Sequence, residues 1–360
     1  FVITNNGLNS KSLYDDGLPA LGHLASSTFG RSFLMEHQAT LNVVTPEGLN
    51  SRAATGVCKN LSALWFFAKE VEWHEVLFAQ KNLLQCITKD GLNHFNGIDD
   101  SRSALWYFAD NLMGHGGDIL SLSHIQEKIT QEGLCKKVLC FLPNSSETTF
   151  KSALWLLSSS VVGRRIIANS THIVSCITSH AFTSHQRAGP DESTSVFWLL
   201  TSSVEGIKIL RGNLCLREMI DQPSLNLAPL RGEHMGKSPF WHLSSHAVGI
   251  WFLHENPALV DLVTNETLFI CPGYNNDSSA VLHLAQCDLG VEVILRSKTL
   301  VAFIMQVADD VTSPYYAEFT QVRRYLLSSA VEKVMTKYQQ RDYVNALKSC
   351  LERDEPLLRE

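Results

Sequence analysis

Two histidines four residues apart, His242 and His246, have the spacing that puts both imidazoles on one turn of a helix, as a pair of metal ligands requires. No glutamate adjoins His242 and no third ligand follows, so surface or capping histidines fit the pattern better. Gly232-Glu-His-Met-Gly236-Lys-Ser238 approaches a phosphate-binding loop, but it has one residue too few between its glycines and Pro239 follows at once. Gly-Lys-Ser there reads as a helix N-cap with proline in the first helical position. Gly114-His-Gly-Gly117 reads as a flexible turn and not as a dinucleotide fingerprint. The nine cysteines (Cys58, Cys86, Cys135, Cys140, Cys176, Cys215, Cys271, Cys287 and Cys350) are odd in number and contain no CxxC pair, which supports neither a disulfide framework nor a zinc cluster. No GxSxG, HExxH or kinase signature is present. The residues therefore nominate no catalytic group, metal or cofactor. An enzyme of unrecognised type, or a regulatory subunit on a helical scaffold, stands as the alternative to a binding protein.

Composition bounds the rest. With 45% hydrophobic and 18% charged residues in 360, the chain can bury a sizeable core. A net charge of −6 supplies no basic field for nucleic acid or anionic lipid; the stripe Arg164, Arg165, Lys208 and Arg211 is too short to change that. No apolar run reaches the ~18–20 residues of a membrane helix. A start at Phe1 reads as a trimmed chain, no secretory signal is visible, and the unpaired cysteines fit a reducing cytoplasm.

Internal repetition is the strongest signal. Ser62-Ala-Leu-Trp-Phe-Phe67 recurs as Ser103-Ala-Leu-Trp-Tyr-Phe108 and Ser152-Ala-Leu-Trp-Leu-Leu157, then more loosely at Ser195–Leu200 and Ser238–Leu243. Anchored on Trp65, Trp106, Trp155, Trp198 and Trp241, with degenerate copies at Gly22, His283 and Tyr325, the spacings are 43, 41, 49, 43, 43, 42 and 42. Eight residues after most anchors stands a glycine (Gly30, Gly114, Gly163, Gly206, Gly249), expected to end or bend the first helix. Apolar residues at +18, +21 and +22, such as Leu83, Cys86 and Ile87, share one helical face and predict a second, long helix. Cys86 and Cys176 fall in this stripe and read as small core hydrophobes. Thr45-Pro-Glu-Gly48, Arg187-Ala-Gly-Pro190 and Cys271-Pro-Gly-Tyr274 read as closing turns, and the 49-residue spacing implies an insertion within about 114–148. The expected fold is all-α: one solenoid over 1–360 of about eight ~42-residue copies, each sealing its neighbour, with a capping helix at about 337–353.

An all-helical copy of this length bearing Ala-x-Trp-x-Leu-Ser resembles the armadillo repeat and, more broadly, armadillo/HEAT solenoids. The ankyrin repeat is a second resemblance, through Ser238-Pro-Phe-Trp-His-Leu243, although its period is ~33. The armadillo resemblance implies a protein-interaction scaffold whose Trp and +4 residues line a concave groove and hold an extended peptide. Here the +4 residues are Lys69, Asp110, Ser159, Ser202 and Ser245 instead of that family's Asn. Two placements of the tryptophans remain open: an exposed ladder of five rings, or burial between copies, since +1 is also apolar. A helical wheel puts −1, +2, +3 and +6, including Val161 and Val204, on the inner stripe. The long loops form a second candidate surface. The acidic end Glu355-Pro-Leu-Leu-Arg-Glu360 is similar to secretion tails of bacterial effectors, which would place the chain in a host cytosol.

Overall fold

The computed structural model describes residues 4–11, 17–95, 102–141, 148–187, 193–229, 234–269 and 278–328. It is mostly helical, with many helices packed against one another, compatible with a helical repeat fold. No described helix is long and apolar enough to cross a membrane. Contacts divide the chain into two compact bodies, Phe1–Leu200 and Thr201–Glu360. The expected C-terminal cap at about 337–353 lies outside the described residues.

In most copies the sequence forms four short helices where one short and one long were expected; only the last described copy carries its stripe on a long helix, the twelve residues Lys298–Asp309. The Trp65 copy runs Ala63–Lys69, Glu72–Ala79, Lys81–Cys86 and Lys89–Asn93; the Trp155 copy runs Ala153–Ser159, Val161–Ala168, Thr171–Ser175 and Ser179–Thr183. Frequent N-caps cause the breaks. Ser152, Ser160, Ser170 and Thr178 each accept an N–H of the turn they open, which starts a new helix and ends the old one. Isolated helices under ~12–15 residues are marginal in water, so packing has to hold these. In the first body, Ala20–Ser26, Ala63–Lys69, Ala104–Asp110 and Ala153–Ser159 pack in succession, and in the second body Pro239–Ser245, Ala280–Ala285 and Tyr316–Leu326 do so. Fully buried Leu64, Phe67, Leu105, Phe108, Leu154 and Leu157 fill the first series.

The glycine at +8 does not end the first helix. Except at Gly114, which is the N-cap of its helix, it is the third residue of the second helix, and its N–H is capped from +5 by Ser27, Ser160 or Ser203. A Cβ at Gly30, Gly163, Gly249 or Gly290 would overlap the carbonyl oxygen of Leu24, Leu157, Leu243 or Leu284. The requirement is a close approach of two helices. This geometry also moves two anchors. Ser279 caps Leu282, so Leu282 and not His283 occupies the anchor position, which restores Gly290 to +8. Tyr325 sits at the far end of Tyr316–Leu326 and is 39% exposed, so it is no anchor. Gly114-His-Gly-Gly117 is the start of the helix His115–Leu120 and not a free turn.

Thr45-Pro-Glu-Gly48 is likewise the first turn of the helix Pro46–Asn50. It belongs to a second recurrent motif that the Trp spacing hid: Thr4-Asn-Asn-Gly-Leu-Asn9, Thr45-Pro-Glu-Gly-Leu-Asn50, Thr88-Lys-Asp-Gly-Leu-Asn93 and Thr130-Gln-Glu-Gly-Leu-Cys135. Each terminal Asn reaches forward to the next copy. Asn50 donates from Nδ2 to the Cys86 carbonyl (2.8 Å) and accepts at Oδ1 the N–H of Thr88 (3.1 Å). Asn9 bonds in the same way with Val43 and Thr45, Asn93 with Lys128 and Thr130, and Asn226 with Leu262 and Thr264. A Cβ at Gly48, Gly91 or Gly133 would overlap the Asn of the preceding copy. Where Cys135 replaces Asn, its Sγ donates to the Cys176 carbonyl (3.3 Å) and the next glycine position holds Ala181. In the second body Thr267 stands at that position and its hydroxyl reaches the Asn226 carbonyl, 3.4 Å.

The extra length between Trp106 and Trp155 lies mainly beyond Cys135. There Val138–Phe141 and Thr148–Lys151 pair antiparallel, and Gln186–Arg187 pairs with Ser193–Thr194 in the next connection. These ladders are joined to the helices: Val138, Thr149, Gln186 and Thr194 are buried, and the Gln186 side chain bonds the cap residue Ser152. Arg187 is described, whereas 188–190 and 271–274 lie outside the described residues.

Asn50→Ala strands the Cys86 carbonyl and the Thr88 N–H and should lower stability by about 1–3 kcal/mol. Gly91→Ala should also destabilise, but Asn50→Ala combined with Gly91→Ala should lose at least about 1 kcal/mol less than the two single losses together. Urea unfolding of the four proteins measures this coupling.

Candidate functional site

The tryptophan tier is built from the N-caps outward. Ser62, Ser103, Ser152, Ser195 and Ser238 each accept the main-chain N–H of the Trp three residues on, which fixes where each indole leaves its helix. The indole N–H then reaches the residue just before the next copy's cap. Trp65 donates to Arg102 O (2.8 Å), Trp106 to Lys151 O (3.1 Å), Trp155 to Thr194 Oγ1 (3.2 Å) and Trp241 to Ser278 O (2.9 Å).

Trp65, Trp106, Trp155 and Trp198 are buried and Trp241 is half-buried. An open ladder of five rings is therefore replaced by shielded indoles, four of which, Trp65, Trp106, Trp155 and Trp241, are bonded to the residue before the next cap. The physical reason is that +1 residues close over them. Tyr107 meets Trp65 edge-on at 5.4 Å and Trp106 at 5.6 Å, while Trp241 lies edge-on between His242 and His283.

Cations cover what remains of the ring faces. Lys69 lies 5.1 Å from the Trp65 ring centre, Lys151 5.0 Å from Trp155 and Lys237 5.1 Å from Trp241; Arg102 lies over both Trp106 and Tyr107. Among the +4 residues, Lys69, Asp110 and Ser159 are exposed, and Ser202 and Ser245 are half-buried. Asp110 sits at the surface, yet the packed helix ends around its carboxyl withdraw water from it and raise its pKa, opposed by Lys151 and Arg102. The first body thus presents Arg102 and Lys151 beside the Asp110 carboxyl, and Lys69 over Trp65, on a backing of buried rings. Lys69 reaches its ring from four residues further along the same helix, whereas Arg102, Lys151 and Lys237 reach theirs from just before the N-cap, a position the Trp pattern did not single out.

The other residues singled out by sequence take structural places. His242 is buried against Trp241, and burial, with His246, His234 and Lys237 adding to it, lowers its pKa to about 3. His246 occupies the N-cap of Ala247–Glu255, so the pair does not converge on a metal. Among the described residues no group of three or more His, Cys, Asp or Glu could hold a metal ion. Ser238 caps a helix with Pro239 at N1, as read. Burial raises the thiol pKa of Cys86, Cys135 and Cys176, and Cys86 donates to the Val44 carbonyl. Arg211 is held by Glu255 in two hydrogen bonds of 2.7 Å, and Arg164 bonds the Ser158 carbonyl.

Two hollows lie between successive fourth helices. One of about 350 Å³ is lined by Lys11, Glu47, Asn50, Arg52 and Asp90, and another of about 650 Å³ by Gln222, Asn226, Leu227, Met235 and Thr264. The Asn motif supplies the floor of both, and the Trp pattern gave no hint of them. No known protein family, curated protein or solved structure matches the chain.

Acrylamide should quench mainly Trp251, which is 46% exposed, and Trp251→Phe should remove most of the quenchable emission. Protonation supplies a second measurable consequence. His242 is neutral in the fold and titrates near 6.5 when unfolded, so its contribution is complete above about pH 6.5 and is lost as pH falls toward 3. His74, whose pKa is also lowered by burial, adds in the same direction. Urea unfolding should show stability falling by up to about 1.4 kcal/mol per pH unit for His242 below pH 6.5, and His242→Leu should remove that part of the slope.

Proposed function

We propose that the chain is a protein-interaction scaffold, an armadillo-like α-solenoid of about eight repeats, which holds an extended acidic segment along the face of its first helices. The supporting observation is the row of Lys69, Arg102 and Lys151, each seated over a tryptophan that is itself bonded to the next copy. Rings clamped in this way hold their cations in place, so a binding partner meets a surface already ordered. The partner contacts the cations and the hydroxyl of the +4 residue Ser159, while the rings serve as backing and Asp110 stays beside Lys151 and Arg102. Adjacent helices pack ~8–10 Å apart, so three rungs span ~20 Å, the length of about six extended residues.

A fluorescent nine-residue peptide rich in Glu and Asp tests this by anisotropy. It should bind more tightly than its Lys counterpart and weaken as salt rises from 0.1 to 0.5 M. It should also lose at least about tenfold in affinity in the Lys69→Ala, Arg102→Ala, Lys151→Ala triple variant, since three charge-assisted contacts disappear. Equal binding of both peptides, or an unchanged affinity in the variant, would overturn the reading. A nucleotide or metabolite that raises Tm in a thermal-shift screen would favour an enzyme instead.

A further inference from the structure

The junction between first and second helices carries an exposed apolar side chain in four successive copies of the first body. Phe29 is 84% exposed, Val71 59%, Met113 89% and Val161 45%. Single exposed hydrophobes are ordinary, but a row with one member per copy is a different matter. Folding does not call for it. Val161 was expected inside, yet the first helix ends at Ser159 and Val161 opens the next one, pointing away from the core. The first turn of a helix favours acidic or small polar residues over valine or phenylalanine, and a later copy has Asp288 at this place. Exposed Glu72 and Glu75 follow Val71 in the first turn of its helix, and exposed Asp118, paired with His115 at 3.0 Å, stands in the first turn after Met113.

From this we infer a second docking surface, independent of the cation row, whose occupant is an amphipathic helix of a partner protein with basic residues flanking its apolar edge. The spacing selects a helix over an extended chain. Packed neighbouring copies are ~8–10 Å apart, and a helix advances ~10.5 Å in seven residues, returning almost to the same face. Successive heptads of one partner helix therefore meet successive members of the row, and four members match about 22 residues. An extended chain covers the same distance in three residues, which throws every second contact onto its opposite side. The acidic flanks supply the charge complementarity and call for lysine or arginine beside the apolar edge.

The test is the binding of a labelled 25-residue synthetic helix with leucines in heptad spacing and lysines beside them, followed by anisotropy. The expected result is micromolar binding that falls at least tenfold in Val71→Asp with Met113→Asp. Both positions are exposed, so the variant should keep the Tm and circular dichroism of the parent. Binding should be unchanged in the Lys69, Arg102, Lys151 triple variant, which separates this surface from the peptide face. Failure of the lysine-flanked helix to bind, an unchanged affinity in the Asp variant, or equal binding of a probe with glutamate flanks or a central proline would each overturn the inference. Sedimentation showing a concentration-dependent dimer that the same Asp substitutions dissolve would also overturn it, assigning the row to a second copy of the chain.

Discussion

Polar side chains that bond forward, from one copy into the main chain of the next, are the constraint on which this structure rests. Helices of five to nine residues end often, and each end leaves carbonyls and N–H groups that the helix itself cannot satisfy. Asn50 meets this problem with a single carboxamide, taking a helix-end carbonyl with its N–H and a cap N–H with its oxygen. Buried amide groups left without partners are costly, so each Asn both joins two copies and sets their register. The glycine against which it lies has no room for a methyl group, and Ala181 enters only where Cys135 has replaced the amide. At Cys135 partner and spacer change together because they occupy the same volume, whereas Asn226 keeps its amide and faces Thr267, whose hydroxyl bonds the Asn226 carbonyl.

The tryptophans apply the same device on the first helices. A buried indole contributes mostly through the apolar area it removes from water, but its N–H must still be paired, and the residue before the next cap serves. Ring burial and the forward hydrogen bond together hold neighbouring first helices at one spacing. They also leave the cations above the rings as the part of the tier that faces outward, which changes what the surface can recognise from stacking to charge.

Both proposed surfaces follow from this rigid spacing. The cations sit over the rings of successive first helices and the apolar residues at successive junctions with the second helices, so both rows follow the spacing of the copies. One set of forward bonds thus aligns the two proposed surfaces of unlike chemistry. The interiors of the copies supply stability, and the exposed positions are free to differ in the later copies, where Asp288 replaces the apolar residue.

Much of the fold was legible in the residues. The Ser-Ala-Leu-Trp period marked the first helices and their caps, because an N-cap and a helix face are local properties of a few side chains. The proline after Ser238 and the core places of Cys86 and Cys176 were readable for the same reason. The Thr-x-x-Gly-Leu-Asn motif was equally present, but Thr45-Pro-Glu-Gly48 has the composition of a turn, and only its partners in the next copy reveal a helix end and an inter-copy bond. Spacings of 18, 21 and 22 fit one long helix or two short ones in phase, so periodicity could not locate the breaks. The anchor at Leu282 emerged from its cap, and the exposure of Val161 from the end of its helix at Ser159. Sequence alone determined where the first helices begin and how often the pattern returns, since those depend on near neighbours. Tertiary structure alone decided that the indoles turn inward and the valine outward, because a side chain on the border of a helical stripe goes wherever the neighbouring copy leaves space.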